Sequence, residues 1–397
     1  KENYSNIMKH KLHQHIEQPS LFQDISTEQI DSIFPTDYAS ILQHIQNIDA
    51  TNYARTRNFI NGAVTYLSPY ISRGFISLPQ VRDIVMQNKK LYEVEKLMQE
   101  LAWREYFQRI WQYHNNEIFT DLKQPQQGVQ HLQIPLSIVQ ATTTIDAVDA
   151  GIKHLYKTGY MHNHVRMYTA MLACNIACSH WSLPAKWMYY HLLDGDLASN
   201  TLSWQWVAGS FSSKKYYANQ ENINKYSGRN QQQSYLSFDY DAITKMPIPI
   251  ALQEITSIEL KTLLPNFSSV KINPSLPTLV YNTYNIDPLW HKTISANRIL
   301  LLEPLHFEKY PISEKVLNWI LQLATNNITD IQIFCGSFQE LMNETKEGNV
   351  FFKEHSTTTH YWGNKEERDW LFPEVKGHFN SFFAYWKKCE PYLKQLQ

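Results

Sequence analysis

Two carboxylates flank a residue with no side chain in Asp194-Gly195-Asp196, and an arginine stands on the element upstream. Asn163, Arg166, Met167, Ala170 and Cys174 recur at i, i+3, i+4, i+7 and i+11, one helical face that begins polar and turns apolar. An arginine and two acids so placed are costly to bury unless a polar occupant fills the space between them. Farther upstream, Leu97, Glu100, Trp103, Arg104 and Phe107 share one face of a helix predicted over 91–113. A glutamate and an arginine between aromatic rings suit a cavity lining; the alternative is a surface Glu100–Arg104 pair worth about 0.3–0.5 kcal/mol. Thr65 and Ser68, ahead of a helix opened by Pro69, offer hydroxyls and backbone N–H groups to a phosphate.

The elements that must hold these groups are mostly helical. Gly159 closes one helix, Pro184 suits the first turn of another, and Asp194-Gly195-Asp196 breaks the chain before a third. Thr143 with Asp146 reads as the N-terminal cap of a helix over 147–157. Residues 1–50, polar and rich in His and Gln with an amphipathic pattern over 38–48, read as a helical lead-in packed on a main domain at 51–226. A stretch punctuated by prolines, 227–277, connects this domain to a unit of different character at 278–397. There 278–284, 298–302, 330–334 and 349–352 read as strands and 313–325 as a helix, a small parallel, Rossmann-like α/β unit. Phe379, Phe382, Phe383 and Trp386 form an aromatic stripe suited to docking.

The middle of the chain resembles the flavin-binding domain of DNA photolyases and cryptochromes. Tyr160-Met-His-Asn163, Arg166-Met167, Trp181, Asp194-Gly-Asp196, Asn200 and Trp204-Gln-Trp206 carry the likeness, at intervals that fit without a gap. Glu100-Leu-Ala-Trp103-Arg104-Glu105 and the loop Thr65-Tyr66-Leu67-Ser68 extend it over residues 50–220. The resemblance implies a mainly α fold, an all-helical FAD-binding domain followed by the α/β unit. It implies FAD held by Tyr53, Thr65, Leu67, Ser68, Arg104, Tyr160, Asn163, Arg166, Asp194, Asp196 and Asn200, with Asn200 at the flavin N5. By the same likeness Glu100, Trp103, Asn163, Met167 and Trp206 receive a pyrimidine dimer, Glu100 on its carbonyls and Trp103 stacked on a base. Trp204 and Trp181 then pass electrons to the flavin. The activity implied is that of a deoxyribodipyrimidine photolyase, a carbon–carbon lyase that repairs DNA with blue light. A cryptochrome-like light sensor with the same FAD site is the other reading. Met167, where members acting on (6-4) photoproducts carry a histidine, favours a cyclobutane dimer.

Three positions depart from the family. Val64 replaces the first hydroxyl of the phosphate loop, Leu97 replaces a tryptophan, and 124–136 lacks the third tryptophan of the relay. No α/β domain of the size that carries the family's antenna chromophore is expected ahead of residue 51, and the resemblance names no antenna for this chain.

Composition agrees with a cytoplasmic globule: 43% hydrophobic and 18% charged residues, enough to bury a core. Aromatics at 13% suit flat ligands or a large aromatic core. A formal net charge of −1 leaves DNA binding to a local patch, for which Lys214 and Lys215 beside Tyr216 and Tyr217 are candidates. No apolar run reaches membrane-spanning length. Cys174 and Cys178 share a helical face, and with no Cys-x-x-Cys among the four cysteines they read as core residues, not metal ligands.

Overall fold

The computed structural model describes residues 33–87, 89–345 and 349–396. Of the expected lead-in, residues 1–32 lie outside the described residues. Its remainder forms α1 (Tyr38–Gln46), where Asp37 accepts from the Ser40 amide, and α2 (Ala50–Thr56), where Asp49 accepts from the Asn52 amide. These side-chain caps satisfy N–H groups that a helix start leaves unpaired. Short α3 (Ser68–Ser72) and α4 (Leu78–Met86) follow, each with proline in its first turn.

The long α5 (Leu91–His114) opens with Glu93 reaching back to the Lys90 amide and is buried on more than one side. A two-stranded antiparallel pair, β1 (Ile134–Pro135) and β2 (Ile255–Thr256), ties the start of the next helices to the proline-punctuated stretch. The helical part is therefore not wholly helical, because a backbone extended by Pro135 found a partner strand. After α6 (Leu136–Gln140) comes α7 (Asp146–Thr158), closed by Gly159 at φ 74°. Its N-terminus differs from expectation: Thr143 hydrogen-bonds Asp149, not Asp146, through both its amide and its hydroxyl, at 2.8 and 2.7 Å. Asp149 lies one turn farther on, where its carboxylate also reaches the Thr144 amide.

Helices α8 (Asn163–Met171), α9 (Ser182–His191) and α10 (Leu197–Ala208) form the centre, with a π-helical turn at Leu172–Ile176 after α8. Cys174 in that turn is fully buried and its thiol is pushed up by burial, so it serves as core. Helices α11 (Gln220–Ser227) and α12 (Tyr240–Lys245) lead into the connection, where Leu236, Ile243 and Leu252 join the same apolar cluster as α7–α10.

The C-terminal unit is a five-stranded parallel sheet, order β5-β4-β3-β6-β7. The strands are β3 (Thr278–Tyr281), β4 (Asn297–Leu302), β5 (Ile331–Cys335), β6 (Val350–Lys353) and β7 (Asn364–Glu366). The first strand stops at Tyr281 because Asn282 and Asn285 form a turn, and β7, too short and polar to signal itself, was not expected. Along β3 and β4 the residues alternate faces: Leu279, Tyr281, Leu300 and Leu302 join one cluster, Val280, Ile299 and Leu301 another. Both faces are covered, as a parallel sheet requires. Helices α13 (Pro304–Lys309), α14 (Glu314–Asn327) and α15 (Phe338–Thr345) accompany the strands, and α16 (Phe382–Gln395) ends the described chain.

Strand order reverses between β3 and β6, so the carboxyl ends of those strands open a crevice. That crevice faces the helices. Gly74 approaches it so closely that an added Cβ would lie 2.3 Å from the Tyr284 carbonyl, and its φ of +58° suits glycine. One apolar cluster then runs from Phe34 through α5 to Trp319 on α14 and Tyr385 on α16.

Candidate functional site

Three helices and one loop converge beside α5. The loop is Asp194-Gly195-Asp196, held from the α3 side: the Ser72 hydroxyl donates to the Asp194 carbonyl at 2.9 Å, and buried Arg73 donates to the Leu193 carbonyl at 3.0 Å. Asp196 is also the N-cap of α10, accepting from the Ser199 amide at 2.7 Å. A residue that starts a helix is thereby fixed with its second carboxylate oxygen free for another partner.

Each acid has its own arginine. Arg166 on α8 donates to both oxygens of Asp194, at 2.9 and 3.0 Å, and through Nε to the Met161 carbonyl at 2.7 Å. Arg104 on α5 stands 3.4 Å from Asp196 and donates to Ser72 Oγ at 2.6 Å. Gln108, one turn farther along α5, donates to Asp196 Oδ2 at 2.6 Å. The acids are 7% and 3% exposed, so pairing is what makes their burial tolerable.

Two adjoining chambers result. The inner one, about 110 Å³, is walled by Arg166, Asp194, Asp196, Asn200 and Trp204. The outer one, about 500 Å³, is walled by Glu100, Trp103, Phe107, Trp206 and, from the C-terminal end, Phe382 and Phe383. Arg104, Asn163, Met167, Ser199 and Ser203 line both. Asn200 donates to the Ala185 carbonyl of α9 at 2.9 Å, which fixes its amide plane. Glu100 does not pair with Arg104; Arg57 at 3.2 Å and Lys96 at 3.1 Å hold it at the chamber wall. The cavity reading of that helix face is the one the structure has.

Tyr53, Thr65, Leu67, Ser68 and Tyr160 line neither chamber. Tyr53 is partly buried near Glu100 and Arg57, and loss of solvent first, then the Glu100 charge, pushes its phenol up. The Thr65 hydroxyl accepts from the Leu67 amide at 3.4 Å and its carbonyl from His44 Nε2 at 2.7 Å. Tyr160 packs on Tyr66 and Phe34, with ring centres 5.1 and 5.6 Å away.

The two tryptophans of α10 point apart, as residues two positions apart on a helix, roughly 200° around it, must. Trp204 is buried on the inner chamber, whereas Trp206 is 41% exposed at the outer one. Trp181, buried at the start of α9, shares the apolar cluster of Trp204 and donates to Asp121 at 2.7 Å. His162, the N-cap of α8, is held neutral by a consistent pair of bonds: Nε2 donates to the Arg57 carbonyl at 3.1 Å and Nδ1 accepts from the His164 amide at 3.2 Å. Burial, then His164, lowers its pKa to about 4; burial, then Arg57, lowers that of His164 to about 4.

Trp103 departs most from expectation. Its ring face, expected to be open to a base, is stacked by Phe382 at 3.8 Å between centroids and 11° between planes. Ser199 and Ser203 were also missed, although their i, i+4 spacing around Asn200 places them on its side of α10. Phe382 had no comparable signal, since its stripe indicates docking without a partner.

Residues 97–237 match the family model described as the FAD binding domain of DNA photolyase. The chain is 33% identical over 120 residues to a deoxyribodipyrimidine photo-lyase of Escherichia coli (strain K12), covering 28% of this chain and 25% of that one. A second such photo-lyase, from Alkalihalophilus pseudofirmus, is 31% identical over 166 residues, 40% of this chain and 34% of its own. A cryptochrome DASH of Danio rerio is 32% identical over 175 residues, 40% and 32%. The match thus spans about a third or less of these relatives' length. The family model falls on residues 97–237, within the part of the chain whose helices wall the two chambers, and there the chain is similar to the FAD-binding domain of the DNA photolyase/cryptochrome family.

Proposed function

We propose that this protein is a light-driven DNA-repair flavoprotein that splits cyclobutane pyrimidine dimers. The observation that carries the reading is convergence: Glu100, Trp103, Asn163, Met167 and Trp206 come from three helices to line one chamber of about 500 Å³ that shares walls with the acid–arginine chamber.

The residues present fit FAD. Ser199 lines both chambers, and its hydroxyl has no protein hydrogen-bond partner although it is buried, as a polar ligand beside it would explain. Arg166, Asp194, Asp196, Arg104, Asn163 and Asn200 would hold the cofactor, with Tyr53, Tyr160 and the Thr65–Ser68 loop behind them. Bound and reduced, FAD supplies the excited-state electron that opens the dimer's ring and takes it back. The side chains position and polarise. Glu100, kept in place by Arg57 and Lys96, would hydrogen-bond the dimer's carbonyl edge. Asn163 and Met167 would set its distance from the inner chamber, and Trp206 would stack on a base. The dimer leaves its helical stack to enter, as bases do in other enzymes that work on them.

Two measurements test this. Flavin bands in the visible spectrum of the purified protein are expected, and their absence after reconstitution would remove the cofactor and the reaction together. Glu100→Ala should keep those bands yet lower the number of dimers repaired per absorbed photon; an unchanged yield would remove Glu100 from the reaction. A blue-light sensor using the same flavin is the second reading. The Phe382 ring on Trp103 favours it, since a protein that never admits a base can keep that face covered. Repair of a thymine-dimer oligonucleotide under blue light decides between them.

A further inference from the structure

Phe382 is the first residue of α16, outside the stretch matched to the family model. Its ring lies parallel on Trp103, whereas Tyr106 and Phe107 meet Trp103 edge-on or tilted. An aromatic side chain of this chain therefore occupies the position that a flat base would take on that indole. We propose that Phe382 is a displaceable cover on the Trp103 face, swung aside when an extruded base enters the outer chamber. This inference rests on the DNA-repair reading above.

The anchoring of α16 is uneven in the way such a cover needs. Deeper in the helix, Tyr385, Cys389 and Leu393 are fully buried, and the Tyr385 hydroxyl donates to Glu105 Oε1 at 2.6 Å. Glu105 also receives the Leu371 and Phe372 amides, so one buried carboxylate clamps both ends of the segment that leads to the helix. Between those clamps, residues 373–381 pass through Gly377 at φ +99°, with nothing within 4 Å of an added Cβ. The first turn carries the Ser381 cap to the Ala384 amide at 3.2 Å and the Tyr385 amide on the Ser381 carbonyl at 3.2 Å, with Phe382 3% exposed against Trp103, Tyr106 and Trp386; terminal turns are the ones that open at the lowest cost. Phe383, next in sequence, is 71% exposed at the chamber and does not share the stack. The approach is held at Phe379, whose carbonyl accepts from the Tyr106 hydroxyl at 3.1 Å, and at Asn380, whose carbonyl accepts from Lys123 Nζ at 3.2 Å; the backbone at Gly377 before them is open, and the ring that moves has a cavity beside it.

A cover of this kind lowers the affinity for every ligand that stacks on Trp103 by the same factor, because only the open fraction binds. It leaves the ratio between damaged and undamaged DNA unchanged. The experiment compares wild type with Phe382→Leu and Phe382→Ala, FAD-loaded and in the dark. It measures binding of a labelled single-stranded oligonucleotide with one thymine dimer, and of the undamaged sequence. The leucine keeps apolar bulk against Tyr106 and removes only the ring stack; a thermal unfolding curve shows that each variant is folded. Both variants should bind both oligonucleotides more tightly, by roughly 2- to 10-fold, the loss of one stacked aromatic pair as competitor. In the wild type, amide hydrogen exchange at 381–386 should speed up when the dimer oligonucleotide is bound. Unchanged or weaker binding by both variants, with 381–386 protected by the oligonucleotide, would make Phe382 a fixed wall and overturn the cover alone. Failure of wild type and both variants to bind the dimer while retaining FAD would overturn the DNA-repair reading, and the cover with it.

Discussion

Replacing Arg166 by methionine removes the cation paired with Asp194 while nearly conserving side-chain volume. Asp194 is left 7% exposed, and no second side-chain donor reaches its carboxylate among the described residues. Breaking a buried pair from one side costs about 3–5 kcal/mol, because the remaining charge is desolvated and unpaired. The Arg166 side chain is 23% exposed and water reaches it in part, so the lower end, about 3 kcal/mol, is expected. The lost bond from Arg166 Nε to the Met161 carbonyl adds about 1 kcal/mol. Arg166→Met/Asp194→Leu removes both charges and should regain more than half of the loss, since exchanging a buried ion pair for apolar groups is often near neutral. Urea unfolding of the apoprotein, followed by tryptophan fluorescence, measures both variants and the Asp194→Leu single mutant for a double-mutant cycle. Absorbance after reconstitution reports flavin, which the double mutant should fail to hold despite its recovered stability. A double mutant at least as unstable as the sum of the two single ones would refute the argument, and Asp194 would then be paired chiefly with something other than Arg166.

Neutral His162 makes stability depend on acid. Its folded pKa, about 4, lies below the ordinary 6.5, so on acidification the unfolded chain takes up a proton before the folded one does. Stability is expected to fall between pH 6.5 and 4 by about 3 kcal/mol for such a ring, and His162→Asn, which keeps an acceptor for the His164 amide, should flatten that slope; an unchanged slope in urea titrations refutes it. Glu105→Ala strips the Leu371 and Phe372 amides and the Tyr385 hydroxyl of their acceptor. That should cost roughly 2–4 kcal/mol and make the chain near 371–385 cleavable by dilute protease, whereas wild-type resistance there would show that the clamp is not what holds the segment. Trp204→Phe should block light-driven reduction of oxidised FAD and spare repair when the flavin is reduced chemically. Fast photoreduction in that variant would move the electron route elsewhere.

Much of the candidate site is local in origin, which is why it was legible. Asn163, Arg166 and Met167 face one way because a helix repeats every 3.6 residues, and Glu100, Trp103 and Arg104 obey the same rule on α5. The breaks at Gly159 and Asp194-Gly195-Asp196 follow from which residues tolerate a left-handed or extended backbone. The short apolar runs in the expected strands 278–284 and 298–302 were enough for β3 and β4, since a parallel strand covered on both faces is apolar nearly throughout. Asp149 rather than Asp146, and β7 at 364–366, turned on which of several nearby groups found a partner, a choice that short-range pattern does not make. Long-range contacts decided the rest. That Phe382 lies on Trp103, that Glu105 holds the approach to α16, and that the crevice of the parallel sheet faces α3 and α5 all join residues far apart in the chain. Such contacts depend on how whole faces pack, with side-chain shape and the burial of every polar group settled together. The residue types at 100–104, 163–167 and 194–206 determined which polar and aromatic side chains share a helix face; the packing of the C-terminal helix against α5 decided that Phe382 stands on Trp103 in the outer chamber.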